Sequence, residues 1–417
     1  MPHIVLLLLK HLKPMRLPTV TVAGNLRVEE PARDNGWTPD GLRFNCRTRA
    51  PCTVSTSRER RSRSQMKLGK RVGMTSLEDG PRVSVVITCY NLERYIGPAI
   101  QSVLDQSRSA HEIIVIDDAS TDRSVDVITA FGKAVTLIKI DRNGGVLNAT
   151  LTGIGASTGD IVAFLDGDDL WHPEKLSVIV PIWRDRADVV LLSHDYAIID
   201  ADGVQTQTID ETQRNTRRMV RRYADQEALS EALKQSILSY RGVWLGSAFS
   251  IRRTAVDLME LERFIDSVSV PMFRRMSYQD HLIAQFVIVT NSDSQVGFVN
   301  QPLFDYRIFT GNTSGQSRTK RQALKTIARG HVNVLGTQRL LQGFPDYRKQ
   351  LHRQKLMAQD FKYMAALYSG QIVYAASSAV FLACTYWSLR RIVKELARIG
   401  LVAVWGSERF LERKSRG

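Results

Sequence analysis

The stretch that decides the fold is an apolar run that ends in three acids: Asp160-Ile161-Val162-Ala163-Phe164-Leu165-Asp166-Gly167-Asp168-Asp169. A short run rich in apolar residues predicts a strand that is buried on both faces. The three carboxylates that follow repel one another, and Mg²⁺ or Mn²⁺ is a suitable compensating charge because both ions favour carboxylate oxygen. An Asp-rich surface turn is the alternative that this cluster alone leaves open.

Similar apolar runs lie on both sides of this strand, and helical spacing of apolar residues separates them. The alternation of strands and helices with short connections predicts an α/β fold with a parallel sheet and right-handed crossovers. Ser120 or Thr121 is expected to cap the second helix, and Pro173 to begin the fourth. The predicted strands are 83–88, 111–116, 134–140, 160–165 and 188–193, and the predicted helices 93–106, 122–131 and 146–157, with one more from 173.

Polar residues follow the predicted strands at the points where the strands end. Ligands of open α/β sheets bind outside the carboxyl ends of the strands, so these residues are expected to share one binding edge. No Gly-x-Gly-x-x-Gly follows the first strand and no P-loop motif occurs, which argues against a dinucleotide cofactor and a P-loop nucleotidase. The residues at the edge are Thr88-Cys89-Tyr90-Asn91, Asp117-Asp118, Asp141-Arg142-Asn143 and Asp166-Gly167-Asp168-Asp169.

The charge of the chain is unevenly distributed. Of the net +15, residues 1–80 carry +8 and residues 318–417 carry +14, which leaves −7 for 81–317. A nucleic-acid-binding protein would carry its positive charge on the folded recognition surface, so no nucleic-acid partner is expected. Basic tails around an acidic centre favour an anionic membrane surface as a partner, with solvated helix faces as the alternative. The four cysteines show no metal or disulfide spacing, which favours a reducing compartment.

The two ends of the chain differ in their predicted order. Residues 1–80 are expected to form a disordered basic leader, because their Ser- and Arg-rich part has no apolar period. Residues 318–417 are expected to be helical. The uncharged segment 363–389 favours a helical hairpin over a membrane span because it contains many Ser, Gly and Gln residues. The basic stretch Arg390–Arg398 is suited to the headgroup level of a membrane.

Four motifs, taken together, closely resemble the family 2 glycosyltransferases. The likeness is strong over 82–185 and weak as far as about 315. It implies a GT-A fold at 81–317, with a Rossmann-like nucleotide-sugar half at 81–200 and an acceptor half at 201–317. It also implies a nucleotide-diphosphate sugar donor, a divalent cation and inversion at the anomeric carbon. The motifs are Val83–Asn91, Ile116–Asp122, Asn143-Gly144-Gly145 and Leu165–Asp169.

The resemblance also implies roles for individual residues. Thr88, Tyr90 and Asp118 match positions that contact the nucleobase, and Asn143 lies in a donor-binding motif. Asp166 is assigned to the donor, while Asp168 and Asp169 are assigned to the metal, although the pattern does not separate the metal ligand among these three acids. Arg307 is assigned to the diphosphate, in a loop that closes over the donor; a surface salt bridge is its alternative role.

An inverting transfer needs a base that removes a proton from the acceptor hydroxyl. Asp280, in Ser277-Tyr278-Gln279-Asp280-His281, matches the second acid of the family's acidic pair. The resemblance assigns this base role to Asp280; the alternative is that it caps the helix predicted at 281–289. Trp244 is a candidate for stacking on a sugar ring, with core packing as the alternative.

We therefore expect metal-dependent, inverting sugar transfer to a hydroxyl on a glycan or lipid-linked acceptor. The resemblance places this reaction in cell-surface polysaccharide or glycolipid synthesis, in the cytoplasm and peripheral to the inner face of the plasma membrane. Two other functions remain open: a nucleotidyltransferase, and a non-catalytic scaffold that binds nucleotide sugars or glycans. The scaffold is kept because Thr150, Gln279 and Phe309 depart from the family pattern.

Overall fold

The structure is a computed structural model. It describes residues 80–223, 225–240, 246–270, 272–309, 319–385 and 387–414. Two predictions lie outside these residues: the basic leader, apart from Gly80, and the sugar-stacking role of Trp244.

All the strands within the described residues belong to one sheet. They are β1 (Val83–Cys89), β2 (Glu112–Asp117), β3 (Thr136–Lys139), β4 (Ile161–Asp166), β5 (Leu170–Trp171), β6 (Val189–Ile199), β7 (Gln205–Thr206), β8 (Ser250–Arg252) and β9 (Gln295–Arg307).

The first four long strands form the parallel half that the sequence predicts. Their order is β3-β2-β1-β4, and all three pairings are parallel. Along β1, Val86 points into one hydrophobic cluster while Val85 and Ile87 point into another. The strand is therefore covered on both faces, which explains why nearly every residue in it is apolar.

Beyond β4 the sheet becomes mixed. The short β8 lies antiparallel between β4 and β6, and β5 pairs antiparallel with β9, while β6 and β9 run parallel. All pairings are therefore parallel in the first half, as expected, whereas the second half combines antiparallel pairings with the parallel pair of β6 and β9. An antiparallel neighbour needs no crossover helix, so β8 leaves no strand–helix alternation in the sequence from which to predict it.

The described helices cover both faces of the sheet and form the C-terminal region. They are α1 (Ile96–Leu104), α2 (Ser124–Thr129), α3 (Val146–Ala156), α4 (Lys175–Asp185), α5 (Glu211–Arg222), α6 (Gln226–Leu238), α7 (Leu258–Ser267), α8 (Phe273–Met276), α9 (Gln279–Thr290), α10 (Lys320–Leu341), α11 (Arg348–Ser369), α12 (Ile372–Thr385) and α13 (Leu389–Lys414, with non-helical backbone at Gly406).

Two predicted helix starts are wrong. Helix α2 begins after Arg123 without a side-chain cap, because Ser120 and Thr121 bond the loop that follows β1 instead. The hydroxyl of Ser120 accepts from the Asn91 amide at 2.9 Å, and the Thr121 amide donates to the Asn91 side chain at 2.7 Å. Helix α4 begins at Lys175, two residues after Pro173.

The C-terminal region is helical, as predicted. Helix α10 joins two clusters, since Leu340 and Leu341 belong to the core of the sheet while Ala323 and Ile327 pack among the last three helices. Helices α11 and α12 form the expected hairpin, which turns at Gly370 with φ of 82°. Among the described helices, none has the length and apolar character to cross a bilayer.

Candidate active site

The carboxyl ends of β1, β2 and β4 lie side by side. Thr88 is paired with Asp166 across β1 and β4, and Cys89 with Asp117 across β1 and β2. The amide of Asp118 donates to the carbonyl of Cys89 at 2.9 Å. Three of the predicted site residues, Thr88, Asp118 and Asp166, therefore lie at one edge of the sheet.

The turn after β4 requires glycine at position 167. The Gly167 amide donates to the Thr88 carbonyl at 3.0 Å, and the Asp169 amide donates to the Asp166 carbonyl, also at 3.0 Å. A Cβ added to Gly167 would lie 2.7 Å from the same Thr88 oxygen, which is too close for any side chain. This close approach of two backbones allows three acids to follow the strand within one tight turn.

Asp166 and Asp168 are acids whose ionised forms are disfavoured. Asp166 accepts long hydrogen bonds, each 3.4 Å, from the Thr88 hydroxyl and the Gln279 amide. Burial raises the pKa of Asp166 to about 7, and the charges of Asp168 and Asp280 add to this effect. Burial also raises the pKa of Asp168 to about 6. A cation close to these two carboxylates would lower both pKa values and stabilise the ionised forms.

Asp169 belongs to the interior. Its side chain accepts from the Ser247 hydroxyl at 2.6 Å and from the Arg307 amide at 2.9 Å, and the residue is only 2% exposed. Burial raises the pKa of Asp169 well above its ordinary value, and its neighbouring acids add to the effect. Because both carboxylate oxygens accept hydrogen bonds inside the protein, this placement does not favour the metal-ligand role that the sequence assigned to it.

A buried lysine lies close to Asp169. The ammonium of Lys175 donates to the Ser247 carbonyl at 2.7 Å and lies 3.7 Å from the centroid of the Trp171 ring. Burial lowers the pKa of Lys175 well below its ordinary value, and the charge of Asp169 opposes that shift. Asp169 thus has a buried amine close to it, which the sequence pattern does not indicate.

Arg307 is next to the acids but is engaged with the backbone. Its Nε donates to the Asp168 carbonyl at 2.7 Å, and one terminal nitrogen lies 3.2 Å from the carbonyls of Asp200 and Ala201. The guanidinium also lies over the Tyr95 ring, 5.0 Å from its centroid. The surface salt bridge that was the alternative is therefore not its main role, since Arg307 is only 4% exposed.

Two of the departures from the family pattern are accommodated by packing. Thr150 is buried, and its hydroxyl donates to the Val146 carbonyl one helical turn earlier at 2.8 Å. The Phe309 ring packs against Tyr95 with centroids 4.8 Å apart. Phe309 thus contacts the same tyrosine that lies beneath the Arg307 guanidinium.

Asp280 lies beside the acid cluster, in the first turn of α9. The residue at the N-cap is Tyr278, so the interpretation of Asp280 as a cap is wrong. Its Oδ2 accepts from the Gly246 amide at 3.0 Å, and its Oδ1 lies 3.4 Å from Nδ1 of His281, whose ring stacks on Tyr240. Burial would raise the pKa of Asp280, but His281 and the Gly246 amide outweigh it and lower this pKa.

One turn bonds both the acid cluster and Asp280. The Ser247 hydroxyl accepts from the Asp166 amide at 2.9 Å while it donates to Asp169, and the adjacent Gly246 amide bonds Asp280. Sequence reasoning missed Ser247 because a small residue outside any motif gives no local signal. Its role follows only from contacts with residues far along the chain.

The remaining residues predicted to bind the nucleotide sugar lie around the loop that contains Asn143, Gly144 and Gly145. Both carboxylate oxygens of Asp118 accept from backbone amides, those of Gly144 and Gly145, at 2.8 Å each. The Asn143 side chain donates to the Asp118 carbonyl at 3.3 Å. Tyr90 is 46% exposed at the end of β1, so its ring is accessible to a ligand. Asp118 therefore holds the loop in position, whatever else it contacts.

The acids do not form a complete metal cage. Among the described residues, no group of three or more His, Cys, Asp or Glu side chains is arranged to hold a metal ion. Mg²⁺ commonly binds one or two protein carboxylates and takes the rest of its ligands from substrate phosphates and water. Asp166 and Asp168, with their raised pKa values, fit that incomplete kind of site.

Comparison with known proteins finds a family match over part of the chain. The model described as "Glycosyl transferase family 2" matches residues 84–236. An uncharacterized glycosyltransferase of Nostoc sp. is 43% identical over 136 residues, which are 31% of this chain and 40% of that protein. The succinoglycan biosynthesis protein ExoO of Rhizobium meliloti is 33% identical over 129 residues, 31% of this chain and 37% of that protein. The chain thus spans less than half the length of these two relatives.

A solved structure is similar at low sequence identity. The mannosyltransferase PcManGT from Pyrobaculum calidifontis, in complex with GDP-Man and Mn²⁺, gives a TM-score of 0.42 at 15% identity, covering 81% of this chain and 86% of that one. The mixed sheet flanked by helices, followed by a helical region, fits the predicted α/β GT-A architecture. The family model and the glycosyltransferase relatives agree with the strand-end motifs, and residues 84–236 of this chain match the family 2 glycosyltransferases.

Proposed function

We propose that the protein transfers a sugar from a nucleotide-diphosphate donor to a hydroxyl of an acceptor, with inversion. The observation that carries the proposal is the convergence of Asp166, Asp168 and Asp280 from two distant parts of the chain. Asp280 is close enough to raise the pKa of Asp166, and its neighbour Gln279 bonds the same carboxylate at 3.4 Å. A donor held by the first two acids would therefore lie beside the third.

The donor would be held with a divalent cation at Asp168, assisted by Asp166. When bound, the cation would offset the negative charge of the diphosphate leaving group. Asp169 is left out of this ligand set because its two oxygens bond Ser247 and the Arg307 amide. Its proposed role is to hold the turn, with the buried amine of Lys175 nearby.

The base in this proposal is Asp280. A general base must be ionised before it accepts a proton, and the lowered pKa of Asp280 maintains that state at neutral pH. The Gly246 amide holds one oxygen at 3.0 Å, and His281 orients the other. The acceptor hydroxyl would approach the carboxylate from the acceptor half and transfer its proton as it attacks the anomeric carbon.

The nucleotide would lie across the ends of β1 and β2. Tyr90 is the proposed stacking surface for the nucleobase, since its ring is exposed, and Thr88 lies close by at the end of β1. Asp118 would contact the nucleobase with the remaining lone pairs of its carboxylate while it holds the loop at Asn143. Arg307 would act on the diphosphate indirectly, by fixing the backbone at Asp168.

The acceptor is proposed to belong to surface polysaccharide or glycolipid synthesis. The support is the similarity to ExoO, whose name assigns it to succinoglycan biosynthesis. The protein would then work in the cytoplasm, at the inner face of the plasma membrane, where a lipid-linked acceptor would be found.

The test is nucleotide-diphosphate release by the full chain, with a panel of nucleotide sugars, Mn²⁺ or Mg²⁺ and a membrane extract as acceptor source. Asp280→Asn is expected to reduce release at least a hundredfold, the usual scale for a lost general base, while donor binding changes little. Asp293→Asn, at the other end of the same helix region and exposed, is the matched control and should retain full activity.

Two outcomes would overturn the proposal. If the wild-type protein binds a nucleotide sugar but releases no nucleotide diphosphate, the result would favour the non-catalytic scaffold. Equal release by Asp280→Asn and the control would remove the base assignment.

A further inference from the structure

The last two helices expose an apolar surface. Val373 of α12 is 84% exposed and Val404 of α13 is 79% exposed. Exposed apolar patches of this kind mark interaction sites more often than single exposed residues do. We name this surface the outer face; its large apolar residues are Val373, Tyr374, Val380 and Phe381 of α12 and Leu389, Val393, Leu396, Leu401 and Val404 of α13.

On α13 these residues form a continuous stripe. Leu389, Val393, Leu396, Gly400 and Val404 follow one another at helical spacing, and all are exposed. At 1.5 Å per residue the stripe is about 22 Å long, too short to span a hydrocarbon core of about 30 Å. A stripe of this length is suited to lying along a surface rather than crossing it.

Two acids near the start of α13 are held inside the helical region. Glu395 is 2% exposed and accepts from the Tyr363 hydroxyl at 3.0 Å and from Arg398 at 2.7 Å. Asp360 of α11 accepts from the Trp387 indole at 3.2 Å and is also ion-paired with α13. The negative charges near the start of the stripe are therefore satisfied inside the helical region, and no acid lies among the stripe residues; Glu408, beyond Gly406, is exposed.

Basic side chains border the stripe. A cavity of about 630 Å³ opens at the start of α13, lined by Ser388, Arg390, Arg391, Lys394, Glu395 and Arg398. Arg391 and Arg398 are ion-paired with Asp360 and Glu395. Arg390 and Lys394 are exposed and make no ion pair with any residue that the structure describes. The cavity is therefore left with excess positive charge directly beside exposed leucine and valine.

We propose that the outer face docks on a lipid bilayer that carries anionic phospholipids. The stripe would lie at the boundary between headgroups and acyl chains, and Arg390 and Lys394 would contact lipid phosphates. Charge complementarity selects this partner: residues 318–417 carry a net +14, Glu395 is buried, and Asp360 is ion-paired with Arg391. This docking rests on the proposed function: it would bring the active site to the membrane in which a lipid-linked acceptor lies.

The experiment measures sedimentation of the full chain with vesicles of phosphatidylcholine alone or mixed with phosphatidylglycerol. The double variant Arg390→Gln/Lys394→Gln should lose about 25-fold in affinity for the anionic vesicles, at roughly fivefold per charge. Val393→Gln/Leu396→Gln should weaken binding to both kinds of vesicle. Lys133→Gln and Val204→Gln change exposed residues elsewhere and should bind as the wild type does.

Two vesicle results would overturn the docking: no preference of the wild type for anionic vesicles, or equal binding by the variants and the controls. A third would be a dimer in light scattering that Val393→Gln/Leu396→Gln converts to monomers, while no form of the protein binds vesicles. The last result would make the outer face a contact between copies. Nucleotide-diphosphate release without vesicles is measured on the same samples. Vesicle binding without nucleotide-diphosphate release would count against the proposed function alone. Nucleotide-diphosphate release without vesicle binding would count against the docking alone.

Discussion

Replacing Asp166 by asparagine should stabilise the metal-free protein at neutral pH. Burial raises the pKa of Asp166 from 3.8 to about 7, so in the folded protein this carboxyl holds its proton after the unfolded chain has released it. A raised folded pKa contributes stability that is fully present below pH 3.8 and is lost as the pH rises through 7. Asparagine resembles the protonated acid in shape and charge but does not titrate.

The size of the effect follows from that shift. At 1.36 kcal/mol per pKa unit, a shift of about three units corresponds to about 4 kcal/mol of unfolding free energy. Asp166 is partly exposed, and relaxation in the ionised state reduces the cost, so we expect about 2–4 kcal/mol. Asp166→Asn should therefore match the wild type near pH 4 and exceed it by this amount at pH 8.

Urea unfolding followed by tryptophan fluorescence, from pH 4 to pH 8 with a chelator, measures this difference. Asp202→Asn removes a highly exposed carboxylate and serves as the control, whose curve should run parallel to that of the wild type. Adding Mn²⁺ at a hundred times its dissociation constant should then stabilise the wild type by about 2.7 kcal/mol and the variant much less.

Parallel pH curves for Asp166→Asn and the wild type would refute the argument that burial disfavours the ionised acid. Equal stabilisation of both proteins by Mn²⁺ would refute the argument that this acid helps to hold the cation.

Two further predictions concern the backbone that supports the site. Ser247→Ala removes the hydroxyl that bonds Asp169 and should lower the unfolding free energy by about 1–3 kcal/mol. It should also reduce kcat more than the affinity for the nucleotide sugar. An unchanged kcat would contradict the positioning role of Ser247. Gly145→Ala introduces a Cβ 2.8 Å from the Arg275 carbonyl at a φ of 89° and should cost at least about 2 kcal/mol, with weaker donor binding by calorimetry. Gly132→Ala, at a φ of 55° in open space, is the matched control and should cost only the local backbone strain of about 1 kcal/mol.

The nucleotide half of the fold could be predicted because its signals are local. Residues along β1 face two cores in alternation, so almost every position must be apolar, and the polar residues at 88 and 166 show where strands end. The mixed half could not be predicted in this way. Strand β8 is held between β4 and β6 by long-range pairing, and three residues are too few to show a pattern.

The same limit applies within the site. The acids at 166, 168 and 169 are alike in sequence, and only the structure separates them, because Asp169 bonds Ser247 and Arg307 from 78 and 138 residues away. The family resemblance points to Asp280 as the base, whereas local chemistry alone favours a cap. The structure removes the cap interpretation, since the cap position is Tyr278.

The electrostatics of the site separate the proposed roles of acids that lie close together. Burial acts on Asp166 and Asp280 in the same direction, yet the pKa of Asp166 rises and that of Asp280 falls. The difference arises because Asp280 has His281 and a backbone amide as partners, whereas Asp166 faces other acids. Groups whose environments push their pKa values apart are suited to different chemical tasks. An acid that resists ionisation gains most from a bound cation, and an acid that stays ionised can accept a proton. Because the Gly246 and Ser247 turn bonds both groups, a single backbone segment sets the distance between the proposed donor site and the proposed base.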